Sequence, residues 1–383
     1  MRALVSEGPE RLQLREVPTP EPGPGDVLVR MSVALTCATD FKLVRRGHPK
    51  IPHPLTLGHE FAGVVERAGA RAPFTPGERV TSAVSGPCGL CDDCRAGREN
   101  LCETAFERPL FGAFADFLLV PERIVKNGLR RIPPGLSDEA AALLDPLASV
   151  VHALSRVPAA TGGDVLVVGT GPIAAMLFFL LRGKEGERER EKTGGATRRI
   201  VVAGRRPEKL AFFERNRAEV ARIADSSRLR GAAAPPPLFT FEENEPMPPR
   251  IDSWEKRDLA VHSSPFSASL SSSFPLIIDT TGDPGVIEAL PALAANGGSV
   301  VLFAGMAEGA RVSLDAFAVH YREVSITGSF HYTPRDADAA LALLGEGTIP
   351  VSSLVGARRD LSAWREAFDL AGSGGAMKVA LVP

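Results

Sequence analysis

The chain lacks net charge of either sign: 44 Lys and Arg stand against 46 Asp and Glu, a formal charge of −2 at pH 7. That balance removes the electrostatic reason to expect a nucleic acid or a membrane surface as partner. Long hydrophobic runs are missing too. A bilayer-spanning helix needs ~18–20 apolar residues, and the longest contender, Val165 to Leu181, is interrupted by Gly169, Gly171 and Pro172. The opening residues, Met1 to Gly8, turn acidic and glycine-rich too early for a signal peptide. The expectation is a soluble, cytoplasmic protein. Cysteine is scarce and odd in number, five in all, which a framework of paired disulfides does not use up. Four of the five fall between Cys88 and Cys102, and Cys37 stands apart. In a reducing compartment such crowding favours a metal over disulfides.

What is present divides the chain. With 383 residues and 44% apolar content, there is enough material for two buried cores. Residues 1 to about 146 hold short β-type runs punctuated by Gly and Pro, such as Asp26–Val33, Phe61–Glu66 and Ala115–Val120. This pattern predicts a mostly antiparallel domain. From about Asp164 the runs become continuously apolar: Val165–Val168, Ile200–Ala203, Leu276–Asp279 and Ser299–Phe303. Strands of that kind are buried on both faces, as in a parallel sheet. A helix over Ser137–Val157 is expected to bridge the two regions, and Lys378–Val382 reads as a strand returning to the first. Two stretches, 183–197 and 226–273, fit no compact pattern and read as surface insertions.

The cysteine cluster has the form C-x2-C-x2-C-x7-C, from Cys88 through Cys91 and Cys94 to Cys102. Two-residue spacers let successive thiolates curl around one ion, and four cysteines leave no vacancy. This is the pattern of a structural zinc; an iron–sulfur cluster and free thiols are the alternatives.

A second metal set is visible in Cys37-Ala38-Thr39-Asp40 and Gly58-His59-Glu60. Alone, a cysteine is more often a small buried apolar residue, and a histidine more often structural. Together each carries an acid at a useful offset. Asp40 can accept the second ring N–H that a ligating imidazole donates, and Glu60 can ligate or stand behind the ligands. Asp145, an acid in an otherwise apolar helix start, is a further candidate ligand because it needs a partner. One Cys, one His and one carboxylate leave a fourth position open, the catalytic arrangement of zinc.

These motifs, with Asp145-Pro146-Leu147 and Gly169-Thr170-Gly171-Pro172-Ile173, resemble the zinc-dependent medium-chain alcohol dehydrogenases, most closely their polyol (sorbitol-type) and threonine branches. The resemblance runs from residue 1 to about 225 and resumes near Phe274. It implies an α/β chain with a GroES-like, mostly antiparallel β catalytic domain over 1–146 and about 314–383. A doubly wound Rossmann domain would occupy 147–313. It also implies a catalytic zinc on Cys37 and His59, completed by Glu60 or Asp145, with Thr39 passing the substrate proton outward. The activity implied is hydride transfer between a secondary alcohol or polyol, or its ketone, and NAD(P). The expected partners are that small molecule and further copies of the chain, in a dimer or tetramer. Leu43, His48, Phe111, Phe330, His331 and Tyr332 stand where the family lines its substrate pocket. A glucose-dehydrogenase-like NADP enzyme of the same fold and an idle zinc- and cofactor-binding sensor are the rival readings.

Val165–Val168 followed by Gly169-Thr170-Gly171-Pro172-Ile173-Ala174 reads as strand, glycine turn and helix start. In that context the turn lets a pyrophosphate approach a helix N-terminus. The next strand ends in Gly204-Arg205-Arg206, with no carboxylate to hold a ribose hydroxyl pair. Two guanidiniums there can pair with a phosphate, which favours NADP over NAD. The plain alternative is two solvated surface arginines.

Overall fold

The computed structural model describes residues 1–47, 51–158, 163–183, 198–223, 239–240 and 273–383. His48 and nearly all of the two stretches read as insertions lie outside these residues. The chain divides into two units, Met1–Ser155 with Phe330–Pro383, and Arg156–Ser329.

The first unit is built on a sheet whose strands run, side by side, Val355–Asp360, Lys378–Val382, Val27–Leu35, Glu60–Ala68, Arg79–Ser82 and Leu129–Arg131. Phe117–Val120 also pairs with Val27–Leu35, and every pairing is antiparallel except that of Val355–Asp360 with Lys378–Val382. Leu4, Val27, Val29, Phe61, Phe114 and Val379 belong to one core, each almost fully removed from water. A small second sheet, Arg11–Glu16, Arg2–Gly8 and Leu55–Thr56, completes the unit's β structure. The strand Lys378–Val382 does return here, as its apolar run suggests, by pairing with Ala34 and Leu35.

The second unit is a doubly wound sheet. Its strands lie in the order Phe239–Thr240, Glu219–Ile223, Ile200–Gly204, Val165–Val168, Phe274–Asp279, Ala294–Leu302, Ser325–Gly328. All pairings are parallel but that of the first edge strand. Apart from that edge strand the order is 3-2-1-4-5-6 in sequence, which places a crevice at the carboxyl ends of the central strands. Its core gathers Leu166, Val168, Val201, Ile277, Leu290 and Val300, matching the continuous apolar runs.

Two expectations change. The bridging helix over Ser137–Val157 is two helices, Asp138–Ala141 and Leu144–Ser155. Pro146 explains the break: it has no N–H to give Ala142, so one continuous helix cannot run through it, but it sits comfortably in a first turn. The return from the second unit falls after Ser329 rather than near residue 314. Residues Ser325–Gly328 still belong to the parallel sheet, paired with Ser299–Leu302.

Candidate active site and cofactor cradle

Asp40 organises the first metal set. It is wholly buried in the first turn of the helix Ala38–Arg46, which Cys37 caps. Its Oδ2 accepts from Cys37 N at 3.2 Å, and its Oδ1 accepts from Gly58 N at 3.2 Å. The same Oδ1 lies 3.4 Å from His59 Nδ1, close enough for charge to be felt but without the alignment of a hydrogen bond. Gly58 has a φ of +88°, and a Cβ there would stand 2.7 Å from Phe114 N, so only glycine brings the two segments this close. One carboxylate thus ties together two motifs separated in sequence.

The donor atoms of Cys37, His59 and Glu60 all lie within 4.8 Å of one another. His59 and Glu60 are 4% and 1% exposed. His59 Nδ1 and Glu60 Oε1 are buried polar atoms with no hydrogen-bond partner in the chain. Buried polar groups are almost always satisfied, so a soft–borderline S/N/O set that leaves Glu60 Oε1 without a partner, with Asp40 beside the Nδ1 of His59, fits a zinc ion with an open position. Burial alone would disfavour a charged His59 ring, yet Asp40 and the Cys37 sulfur outweigh it and hold its pKa well above the usual value. A pocket so rich in negative charge suits a cation.

Behind Glu60 stands Lys378, a residue the sequence did not single out. It is 2% exposed; its Nζ donates to Glu60 Oε2 and to Thr36 O, the latter at 3.2 Å. Burial raises the Glu60 pKa, with Lys378 and His59 pulling against it. The only sequence signal was a lysine opening an apolar strand. Asp145 does not join the three-residue set among the described residues. Its Oδ1 accepts from Tyr332 OH and from Val84 N, the latter at 3.4 Å, and its charge reaches Glu60. Thr39 lies exposed on the first helical turn. Of the expected pocket residues, Phe111 sets its ring edge-on to His59 at 5.2 Å, whereas Leu43 is sunk in the core.

In the four-cysteine lobe, the sulfurs of Cys88, Cys91, Cys94 and Cys102 also lie within 4.8 Å of one another. Backbone N–H groups already point at them: Cys88 N to Cys102 Sγ at 3.2 Å, and Leu90 N and Cys91 N to Cys88 Sγ at 3.3 Å each. The two N–H donors bring the Cys88 thiol down to about 6, while burial pushes Cys94 up to about 12. A cation bound by four sulfurs would resolve that conflict by ionising them all. Arg123 adds a guanidinium 3.8 Å from Cys102 Sγ, held by Thr104 Oγ1 at 2.6 Å.

The second unit carries a cavity of about 680 Å³ where its central strands end, lined by Gly169, Thr170, Gly171, Gly204, Arg206 and Lys209 among others. Pro172 and Ile173 open the helix Pro172–Arg182, capped by Gly171. Gly169 has a φ of +120°, and a Cβ on it would come 2.1 Å from Thr280 Oγ1, so the turn requires glycine. A Cβ on Gly204 would come 2.3 Å from Thr170 Cγ2. A side chain at the strand end would therefore require Thr170 to turn away. Arg205 faces Asp283 at 3.8 Å. Lys209, half-buried, has its pKa lowered by burial and by Arg206.

Comparison with known proteins agrees with this anatomy. Residues 23–129 match the alcohol dehydrogenase GroES-like domain. The chain is 34% identical over 237 residues to an L-threonine 3-dehydrogenase of Rhizobium rhizogenes, covering 60% of this chain and 63% of that protein. It is 36% identical over 219 residues to the Rhizobium etli enzyme of the same name, covering 55% and 58%. The chain thus spans somewhat under two thirds of the length of these curated relatives. Among solved structures, a zinc-binding dehydrogenase of Sinorhizobium meliloti bound to NADP has a TM-score of 0.74 at 25% identity, covering 100% of this chain and 99% of that one. Alcohol dehydrogenase TADH of Thermus sp. ATN1 has a TM-score of 0.75 at 25% identity, with the same coverage. The chain is thus similar to zinc-binding and alcohol dehydrogenases, in a GroES-like domain over residues 23–129 and in its fold. No helix among the described residues is long and apolar enough to cross a membrane.

Proposed function

We propose that this chain is an oxidoreductase that moves a hydride between a secondary alcohol, or its ketone, and a nicotinamide dinucleotide. The observation that carries the reading is the buried set of Cys37, His59 and Glu60, with Glu60 Oε1 left without a partner, in a chain whose relatives are dehydrogenases. Cys37, His59 and Glu60 would hold zinc, which as a Lewis acid lowers the pKa of a bound hydroxyl toward neutrality. Asp40 keeps Cys37 and His59 in place, and Thr39, at the exposed start of its helix, passes the released proton to solvent. Asp145, engaged by Tyr332, stands behind the ligands rather than among them.

The cofactor is NADP in preference to NAD. Support comes from Gly204, which offers no carboxylate at the strand end, and from Arg206 and Lys209, which line the same cavity. The substrate class is a secondary alcohol with a polar neighbour, an amino alcohol or a polyol; the threonine dehydrogenase relatives favour the former. A panel of β-hydroxy amino acids, vicinal diols, polyols and aldoses, followed by NADPH absorbance, tests this. Turnover of the first three groups supports it. Turnover of aldoses alone would make the chain a sugar dehydrogenase, and none at all, with zinc and cofactor bound, would favour a sensor.

A further inference from the structure

The segment Phe330–Tyr332 is held in a conformation its residues do not favour. His331 has a φ of +55°, a left-handed backbone that residues other than glycine rarely adopt. Phe330 beside it leaves 57% of its surface in water, so burial of its own ring does little to fix the turn. What opposes relaxation comes mainly from one region of the chain.

Asn100 lies between the third and fourth cysteines of the lobe and is 7% exposed. Its Nδ2 donates to Phe330 O at 3.0 Å and stands 3.3 Å from His152 Nε2. His152 Nδ1 in turn lies 2.9 Å from Asp336 Oδ2, in the first turn of the helix Pro334–Gly345 that follows the segment. One imidazole tautomer satisfies both contacts: Nε2 accepts from Asn100 and Nδ1–H donates to Asp336. Phe106, just past Cys102, sets its ring 5.5 Å from that of Phe330 and 4.7 Å, edge-on, from that of His331. Ser85, just ahead of Cys88, meets His331 Nε2 at 2.6 Å. From the far side of the same turn, Tyr332 donates to Asp145.

We propose that the four-cysteine lobe is a brace for this turn. Closing the lobe on its ion fixes Asn100 and Phe106, these hold Phe330 and His331, and Tyr332 is thereby set on Asp145 beside Glu60. The lobe then has a positioning role in addition to its contribution to folding. A lobe that only staples the fold would loosen everything or nothing, whereas a brace loosens residues 330–333 first, because local openings follow local contacts.

Amide hydrogen exchange on the zinc-loaded chain tests this. Asn100→Ala removes two hydrogen bonds from the brace and no metal ligand. It is expected to speed exchange at Tyr332 and Thr333 by at least about tenfold while the strand Glu60–Ala68 keeps its wild-type rate. The second arm uses the His59→Ala chain, in which the lobe's ion is the one in play. Stepwise chelation should raise exchange across 330–333 in proportion to the zinc lost, and added zinc should restore it. This arm decides alone if Asn100→Ala does not fold. Wild-type exchange at 330–333 in the ion-depleted chain, or loosening spread evenly over the first unit, would overturn the brace.

Discussion

His59 and Lys378 both act on Glu60, and their substitution should separate chemistry from stability. His59→Ala removes a metal donor from a site whose proposed part is stabilisation of developing charge, worth several kcal/mol. Turnover should fall by at least about a thousandfold with the fold intact; activity within about tenfold of wild type, measured on folded protein, would contradict the ligand assignment. Lys378→Met leaves Glu60 Oε2 buried without its ammonium partner. Removing one partner of a buried pair costs about 3–5 kcal/mol, so thermal denaturation should shift down by roughly 10 °C. A shift of a degree or two would mean that Glu60 is not held by this pair. The two residues also differ in how far they could be read in advance. Cys37, Asp40 and His59 lie in short motifs whose offsets carry their chemistry. Lys378 meets Glu60 across 318 residues of sequence, a pairing that exists only once the closing strand lies beside Val27–Leu35. The same holds for Tyr332 and Asp145, 187 residues apart.

Among the elements, the cysteine lobe was legible whole, because ligand spacing is a local property that needs no tertiary context. Its expected sensitivity follows. Cys94→Ser should lose one zinc per chain and lower the thermal midpoint of the first unit by several degrees, since structural metal binding contributes to folding. Elemental analysis showing an unchanged zinc content, or iron in wild type, would contradict the assignment. The strand–turn–helix of the cofactor cradle was equally readable from Gly169, Gly171 and Pro172. The packing of the Thr170 methyl against Gly204 was not, for it exists only once the turn lies beside the strand end. Arg205 is turned toward Asp283, so Arg206 is expected to carry more of the cofactor preference. Changing both arginines to alanine should raise the dissociation constant for NADPH about tenfold or more, the worth of one charge-assisted hydrogen bond, and barely alter that for NADH. Tighter binding of NADH than of NADPH by wild type would remove the arginines from that role.

At the scale of the molecule, continuous apolar runs announced a parallel sheet and punctuated short runs an antiparallel one, and each unit's core is made of those runs. The boundaries were less readable. Pro146 splits a helix whose apolar periodicity runs on, and Ser325–Gly328 stays with the parallel sheet through backbone pairing that its side chains do not advertise. The proposed activity depends on a metal at Cys37, His59 and Glu60 that activates an alcohol. The most direct measurement follows NADPH-linked alcohol turnover against zinc content as the chain is stripped with a chelator and reloaded. Activity should vanish when about one ion per chain has gone, with the lobe still filled, and return on adding zinc. Full turnover by protein that has lost that ion would contradict it.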